Sequence, residues 1–260
     1  MIAALMRTPE GLKQLTRAGM LLFAALALLP FFAPGDFVVT IAIQALSFMV
    51  LATGLNLIYG YTGLLSFAQV AFWGLGGYTS ALLTVDLGMS PWLGLLAGAL
   101  VAAVVSLVVG FAALRLSRHS FVIVTLSFAL LLQLIARDWV DLTRGPMGIP
   151  GLPALQISLP GMGTFSSADP QVSYAFILVF TVAALAGVYR LVNSRIGRAL
   201  VAIKHNEPLA QSQGINTLHY KLFAFGVSAA LSAIAGGFFV FHLSIVDPTV
   251  IPPQKRCVQK

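Results

Sequence analysis

Ser194–Lys221 reads SRIGRALVAIKHNEPLAQSQGINTLHYK and is the least apolar long stretch of a 260-residue chain that is 58% hydrophobic and 9% charged. It lies between two apolar runs, 173–193 and 222–246, each long enough to cross a bilayer. A soluble domain carries about a quarter charged residues. So few charges cannot cover a water-facing surface, and the composition is that of an integral membrane protein. The net charge of +7 is then loop bias, since cytoplasmic loops collect Lys and Arg. It points to no nucleic-acid partner. A single cysteine, Cys257, excludes an internal disulfide and any cysteine-based metal cage.

Within the quoted stretch, Ile196, Ala199, Leu200 and Ile203 recur at helical spacing, flanked by Arg195, Arg198 and Lys204. A second short helix is expected after Asn206 as N-cap, with Glu207 and Pro208 in its first turn and Gly214 as its stop. Two readings of this pair stand side by side. It is an interfacial helix with its basic side chains among headgroups, or a peg held out for a soluble partner.

Working outward, seven apolar runs lie at 19–34, 37–59, 64–85, 91–114, 120–136, 173–193 and 222–246. Most approach the ~20 residues that a spanning helix needs. The fold class is therefore all-α, a polytopic transmembrane bundle of about seven spans. Gly74, Gly76 and Gly77 predict a broken or re-entrant helix in the third run. The N-terminal run has no small-x-small cleavage pattern and reads as an uncleaved first helix. With the N-terminus inside, the cytoplasmic segments hold Arg7, Lys13, Arg17, Arg115, Arg118, Arg190, Arg195, Arg198, Lys204 and Lys221. The outer loops between spans hold only Arg137 and Arg144. That asymmetry puts residues 194–221 in the cytoplasm and makes 137–172 extracytoplasmic. Residues 1–246 form the transmembrane domain in this reading, and 247–260 an atypical polar tail.

The spans carry packing features and little chemistry. Gly94, Gly98, Ala102, Ser106 and Gly110 form a ladder on one helix face; Ser228, Ser232 and Gly236 form another, beside Ala229, Ala233 and Gly237. Such faces let helix backbones approach closely. No Asp, Glu, Lys or Arg falls near the middle of a span, which disfavours a proton- or ion-driven secondary transporter. The polar groups there are the neutral amides Gln44, Asn56, Gln69 and Gln133. Metalloprotease, nucleophile-elbow and phosphate-loop motifs are missing, and the four histidines show no ligand spacing, so no enzyme and no metal site is expected. The loop at 137–172, with LTRGPMGIPGLP (142–153), reads as a connector or as a docking surface for an extracytoplasmic partner.

EPLAQSQGI (207–215) resembles the coupling-loop motif of ABC-importer permeases, with Glu207, Ala210 and Gly214 at matching positions; Pro208 and Leu209 depart from it. Three further stretches resemble branched-chain amino acid permeases: GLNLIYGYTGLLSFAQVAFWGLGGYTSALL (54–83), FVIVTLSFALLLQLI (121–135) with the proline-rich loop after it, and the quoted stretch with YKLFAFGVSAALSAIAGG (220–237). The resemblance runs from about residue 37 to 241.

It implies a permease paired with a homologous permease subunit, two cytoplasmic ATPase subunits that bind the ATP, and a periplasmic substrate-binding protein delivering Leu, Ile or Val. The setting is the cell inner membrane, the chain needs no cofactor of its own, and urea or short amides are the alternative cargo. Glu207, Ala210 and Gly214, supported by Arg195, Arg198 and Lys204, are the expected ATPase-coupling residues. Asn56 and Gln69 are candidates for lining the pathway; relatives often carry His at the position of Gln69. The resemblance also implies further helices after Phe241, where this sequence has HLSIVDPTVIPPQKRCVQK. A C-terminally shortened permease, or a remnant that does not transport, is the corresponding expectation.

Overall fold

The computed structural model describes residues 36–159, 163–167 and 169–246. The apolar run at 19–34 and the tail at 247–260 lie outside them. From Asp36 onward the chain is a bundle of helices: α1 (Asp36–Thr62), α2 (Ala68–Val85), α3 (Pro91–Ala113), α4 (Arg118–Asp138), the one-turn α5 (Val140–Thr143), α6 (Pro170–Asn193), α7 (Arg195–His205), α8 (Glu207–Ser212) and α9 (Thr217–Leu243). Five of these, α1, α3, α4, α6 and α9, are long and apolar enough to cross a membrane.

The helix starts are written locally. Ser90 accepts from the Leu93 N–H with Pro91 following, Ser117 accepts from the Ser120 N–H, and Asn216 accepts from the His219 N–H. Each side chain satisfies an amide that the first turn leaves without a partner.

The third run is not broken. α2 continues from Ala68 to Val85, and its glycines serve packing. A Cβ on Gly76 would overlap the backbone of Ala233, and one on Gly77 would lie 2.8 Å from Val240 Cγ2. Each glycine costs a helix about 1 kcal/mol relative to alanine, but here it admits a neighbouring backbone. Being buried along most of its length, α2 tolerates Gln69, Ser80 and Thr84 because protein, not lipid, surrounds them.

α9 is the axle of the bundle, packed against α1, α2 and α3. Within its most apolar window 72% of residues are buried, against 17% for α4 at the rim. The ladder on α3 is its buried face: Gly94, Gly98, Ala102, Ser106 and Gly110 all point inward. A Cβ at Gly98 would sit 2.9 Å from the Gly76 carbonyl oxygen, and one at Gly110 would sit 2.8 Å from the Phe225 ring. On α3 and α4, Leu96, Leu100, Val108, Ile123, Leu130 and Leu134 face outward, an apolar sheath suited to lipid.

One end of the bundle is built by the turn-rich segment after α4. A 3-10 turn at Gly145–Met147 leads to β1 (Ile149–Pro150), then to the antiparallel pair β2 (Gln156–Leu159) and β3 (Gly163–Ser166). β1 pairs antiparallel with β4 (Ile245–Val246), Ile149 opposite Val246, which ties this segment to the exit of α9. Arg144 bridges to Asp86 at 3.0 Å. The connector is thus a folded cap with two small ladders. α7 and α8 form the opposite end.

Candidate functional site

α6 ends at Asn193, and Ser194 caps α7 by accepting from the Ile196 N–H. The turn is tight, since a Cβ on Gly197 would overlap the Val192 carbonyl. α7 lies with Gly197, Ala199, Leu200 and Ile203 buried; of the face read from the spacing, Ile196 is only partly buried and Gly197 is buried beside it. Arg195 and Arg198 point to solvent, with Arg198 donating to the Asn193 carbonyl at 3.5 Å. Lys204 is exposed too, yet its ammonium donates to the Gly60 carbonyl at the end of α1 at 2.7 Å. Arg118, at the start of α4, donates to the Lys204 carbonyl at 3.3 Å. The loop is therefore bolted to two helix ends.

Asn206 caps α8, its Oδ1 accepting from the Leu209 N–H at 3.2 Å. At the other end Gly214 has φ +80°. The Ile215 N–H reaches the Ala210 carbonyl and the Gly214 N–H reaches the Gln211 carbonyl, a complete Schellman turn. Gln211 adds a 3.1 Å bond to the Thr217 hydroxyl at the start of α9. The turn folds α8 back against the root of α9.

That fold-back brings together two residues 14 apart. Lys221, 7% exposed, donates to Glu207 Oε1 at 2.5 Å. Sequence reasoning counted Lys221 only as a loop charge. The available signal was its place at the foot of the apolar run 222–246, in the same short stretch as Glu207, the one acid of the loop. Ala210 is buried as well. Of the six loop candidates, Glu207 and Ala210 face into the chain, whereas Arg195, Arg198, Lys204 and Gly214 are exposed. The outward surface of α8 consists of Pro208, Leu209, Gln211 and Ser212, with Leu209 58% exposed. Behind it, Gln211 and Gly214–Leu218 line an open groove of about 410 Å³.

The two amide candidates occupy different places. Gln69 is buried on α2; its Nε2 donates to Ser228 Oγ at 2.6 Å and its Oε1 accepts from Ser232 Oγ at 2.6 Å. Ser228 in turn donates to the Gly54 carbonyl of α1 at 2.9 Å. This network pins three helices together. Asn56 instead lies on the outward side of α1, in an exposed stripe with Ile41, Ala45, Phe48, Ala52 and Tyr59. The structure does not bring Asn56 and Gln69 to one site.

A family model described as the permease component of a branched-chain amino acid transport system matches residues 37–255. The chain belongs to this permease family. The match continues past Phe241, where the resemblance read from the motifs stops. The chain is 32% identical over 228 residues to the high-affinity branched-chain amino acid transport system permease protein LivM of Escherichia coli, covering 81% of this chain and 54% of LivM. It is 26% identical over 215 residues to LivH of Salmonella typhimurium, covering 78% of this chain and 70% of LivH. A probable LivH of Methanocaldococcus jannaschii is 29% identical over 212 residues, covering 77% of this chain and 64% of that protein. The chain spans about half the length of its LivM relatives. No solved structure matches it.

In this permease the cations and acids segregate. The loop end carries Arg115, Arg118, Arg190, Arg195, Arg198, Lys204 and Lys221, with Glu207 the sole carboxylate among the described residues there. Asp86, Asp138, Asp141 and Asp169 lie at the hairpin end with Arg137 and Arg144.

Proposed function

We propose that this chain is the membrane permease subunit of an ATP-driven importer that carries Leu, Ile or Val into the cytoplasm. ATP is bound and hydrolysed by two separate ATPase subunits that dock on 194–221; a homologous permease completes the pore and a periplasmic protein supplies substrate. The observation that carries this reading is the architecture of α8. A capped helix of six residues is held against the root of α9 by Glu207 and the buried Ala210 and turns outward an apolar side chain, Leu209, 58% exposed. Among the described residues nothing covers it, and a rim of amides and hydroxyls surrounds it, as at the centre of a docking patch.

The charge segregation supports the orientation. A loop end so rich in Arg and Lys belongs in the cytoplasm, with the folded hairpin end outside, in the cell inner membrane; with the run at 19–34 read as a further span, the N-terminus is inside as well. The hairpin end then faces the substrate-binding protein. The pathway candidate Asn56 would look toward the sister permease, whereas the two buried interhelical hydrogen bonds of Gln69 favour a packing role over a pathway role.

The test is co-purification from membranes of the chain with its ATPase and sister permease, followed by uptake in vesicles. Leu209→Asp should insert normally and lose the ATPase. Retention of the ATPase by that variant would remove α8 as the docking element. Uptake of labelled Leu, Ile and Val but not of urea or acetamide fixes the substrate class; the reverse pattern would assign short amides.

A further inference from the structure

We propose that Lys221 is the positioning residue through which the loop 194–221 drives the bundle: its ion pair with Glu207 makes α8 and α9 one lever. The inference rests on the coupling role just argued and names the internal part that such a role requires.

Besides the local bond from Arg198 to the Asn193 carbonyl, three links attach the loop to other elements through charged side chains, and they differ in kind. The bonds from Lys204 to Gly60 and from Arg118 to Lys204 are made by exposed side chains, so water can replace them at little cost. The Lys221 ammonium is different. With its side chain 7% exposed, it has little water to fall back on, and a buried charge without its partner is strongly unfavourable. Glu207 is the only carboxylate at that end among the described residues. α8 cannot leave α9 without stranding Lys221, so a push on α8 moves both.

α9 carries the push inward. Lys221, Ser228 and Ser232 are spaced by seven and four residues and share one face of the helix. Two turns above Lys221 that face meets the Gln69 network. There the Ser232 hydroxyl has two acceptors in reach, Gln69 Oε1 at 2.6 Å on α2 and the Ser228 carbonyl at 3.0 Å on its own helix. A hydroxyl has one hydrogen to give. It can therefore bond across the helices in one arrangement and within α9 in another, leaving the hydroxyl satisfied in both. A discrete two-arrangement contact is the kind of element that lets a small displacement become a switch.

The experiment uses the whole transporter, reconstituted with its ATPases, sister permease and binding protein, and reads substrate imported per ATP hydrolysed. Lys221→Met and Glu207→Gln should each be recovered as complexes whose ratio falls about tenfold, a usual size for coupling between sites. The exchanged pair, Glu207→Lys with Lys221→Glu, should recover most of the ratio. A merely structural role would lower the amount of complex and leave the ratio of the recovered complex unchanged. An unchanged ratio in both single variants, or an exchanged pair no better than they are, overturns the lever and leaves the coupling surface standing. Where Lys221→Met fails to accumulate, Glu207→Gln carries the test, since a neutral acceptor stays in place beside the ammonium. A wild-type chain that recruits no ATPase overturns both this inference and the functional reading beneath it.

Discussion

Gly236 on α9 lies directly against the Trp73 carbonyl on α2, so closely that a Cβ on Gly236 would overlap that oxygen. The contact is backbone against backbone and cannot relax through a side-chain rotamer. Gly236→Ala should therefore force the two helices apart and destabilise the subunit by about 1–3 kcal/mol, the usual cost of overpacking. Thermal unfolding in detergent measures it. A midpoint equal to wild type would mean that the helices are not in this contact.

Gly187 supplies the control. It sits within α6, with nothing among the described residues within 4 Å of the position of an added Cβ. Gly187→Ala should be neutral or stabilise the isolated subunit by up to about 1 kcal/mol through helix propensity. Two glycine-to-alanine changes with opposite signs, in helices that are both apolar, would be hard to obtain from any other packing.

Gln69→Leu removes two interhelical hydrogen bonds. Ser228 keeps its bond to the Gly54 carbonyl, and Ser232 keeps the Ser228 carbonyl as acceptor. The expected loss of stability is about 1 kcal/mol, the scale of such bonds within membranes; because the Ser232 hydroxyl is left with only its own-helix acceptor, substrate imported per ATP hydrolysed should also fall in the folded complex. An unchanged ratio would take the Gln69 contact out of the lever.

Gly214 holds φ +80°, a conformation that costs a residue with a Cβ about 1–2 kcal/mol. Gly214→Ala should loosen the turn behind α8 by that amount. Gly214→Pro goes further, because proline cannot adopt this φ and lacks the N–H that reaches the Gln211 carbonyl. That variant should insert normally yet lose co-purification with the ATPase or uncouple its hydrolysis from uptake. Full uptake by Gly214→Pro would count against the role of the turn.

Arg144 and Asp86 are each nearly half exposed, so Asp86→Asn should cost no more than about 1 kcal/mol, less in high salt. A larger loss in the unfolding midpoint would mean that the hairpin end depends on this bridge.

Much of this protein was legible before folding. The positions of five spans, the Asn206 cap, the Gly214 stop, the inward ladder of α3 and most of the buried face of α7 each depend on a few neighbouring residues. Their causes are local: an unpaired amide needs an acceptor, a left-handed residue is best a glycine, and a bilayer needs about twenty apolar residues. The tertiary structure alone decided the rest. Apolar spans carry no polar face to mark which side meets lipid, since helix association in a bilayer lacks the hydrophobic pattern that soluble helices show. Hence nothing local told that the glycines of α2 admit Ala233 instead of breaking the helix. Nor could spacing tell that Gln69 is locked among serines more than 150 residues away while Asn56 faces outward. Lys221 belongs to the same class: one more cation of a basic loop in the sequence, it becomes a buried charge with a single partner only when the Gly214 turn lays α8 against α9.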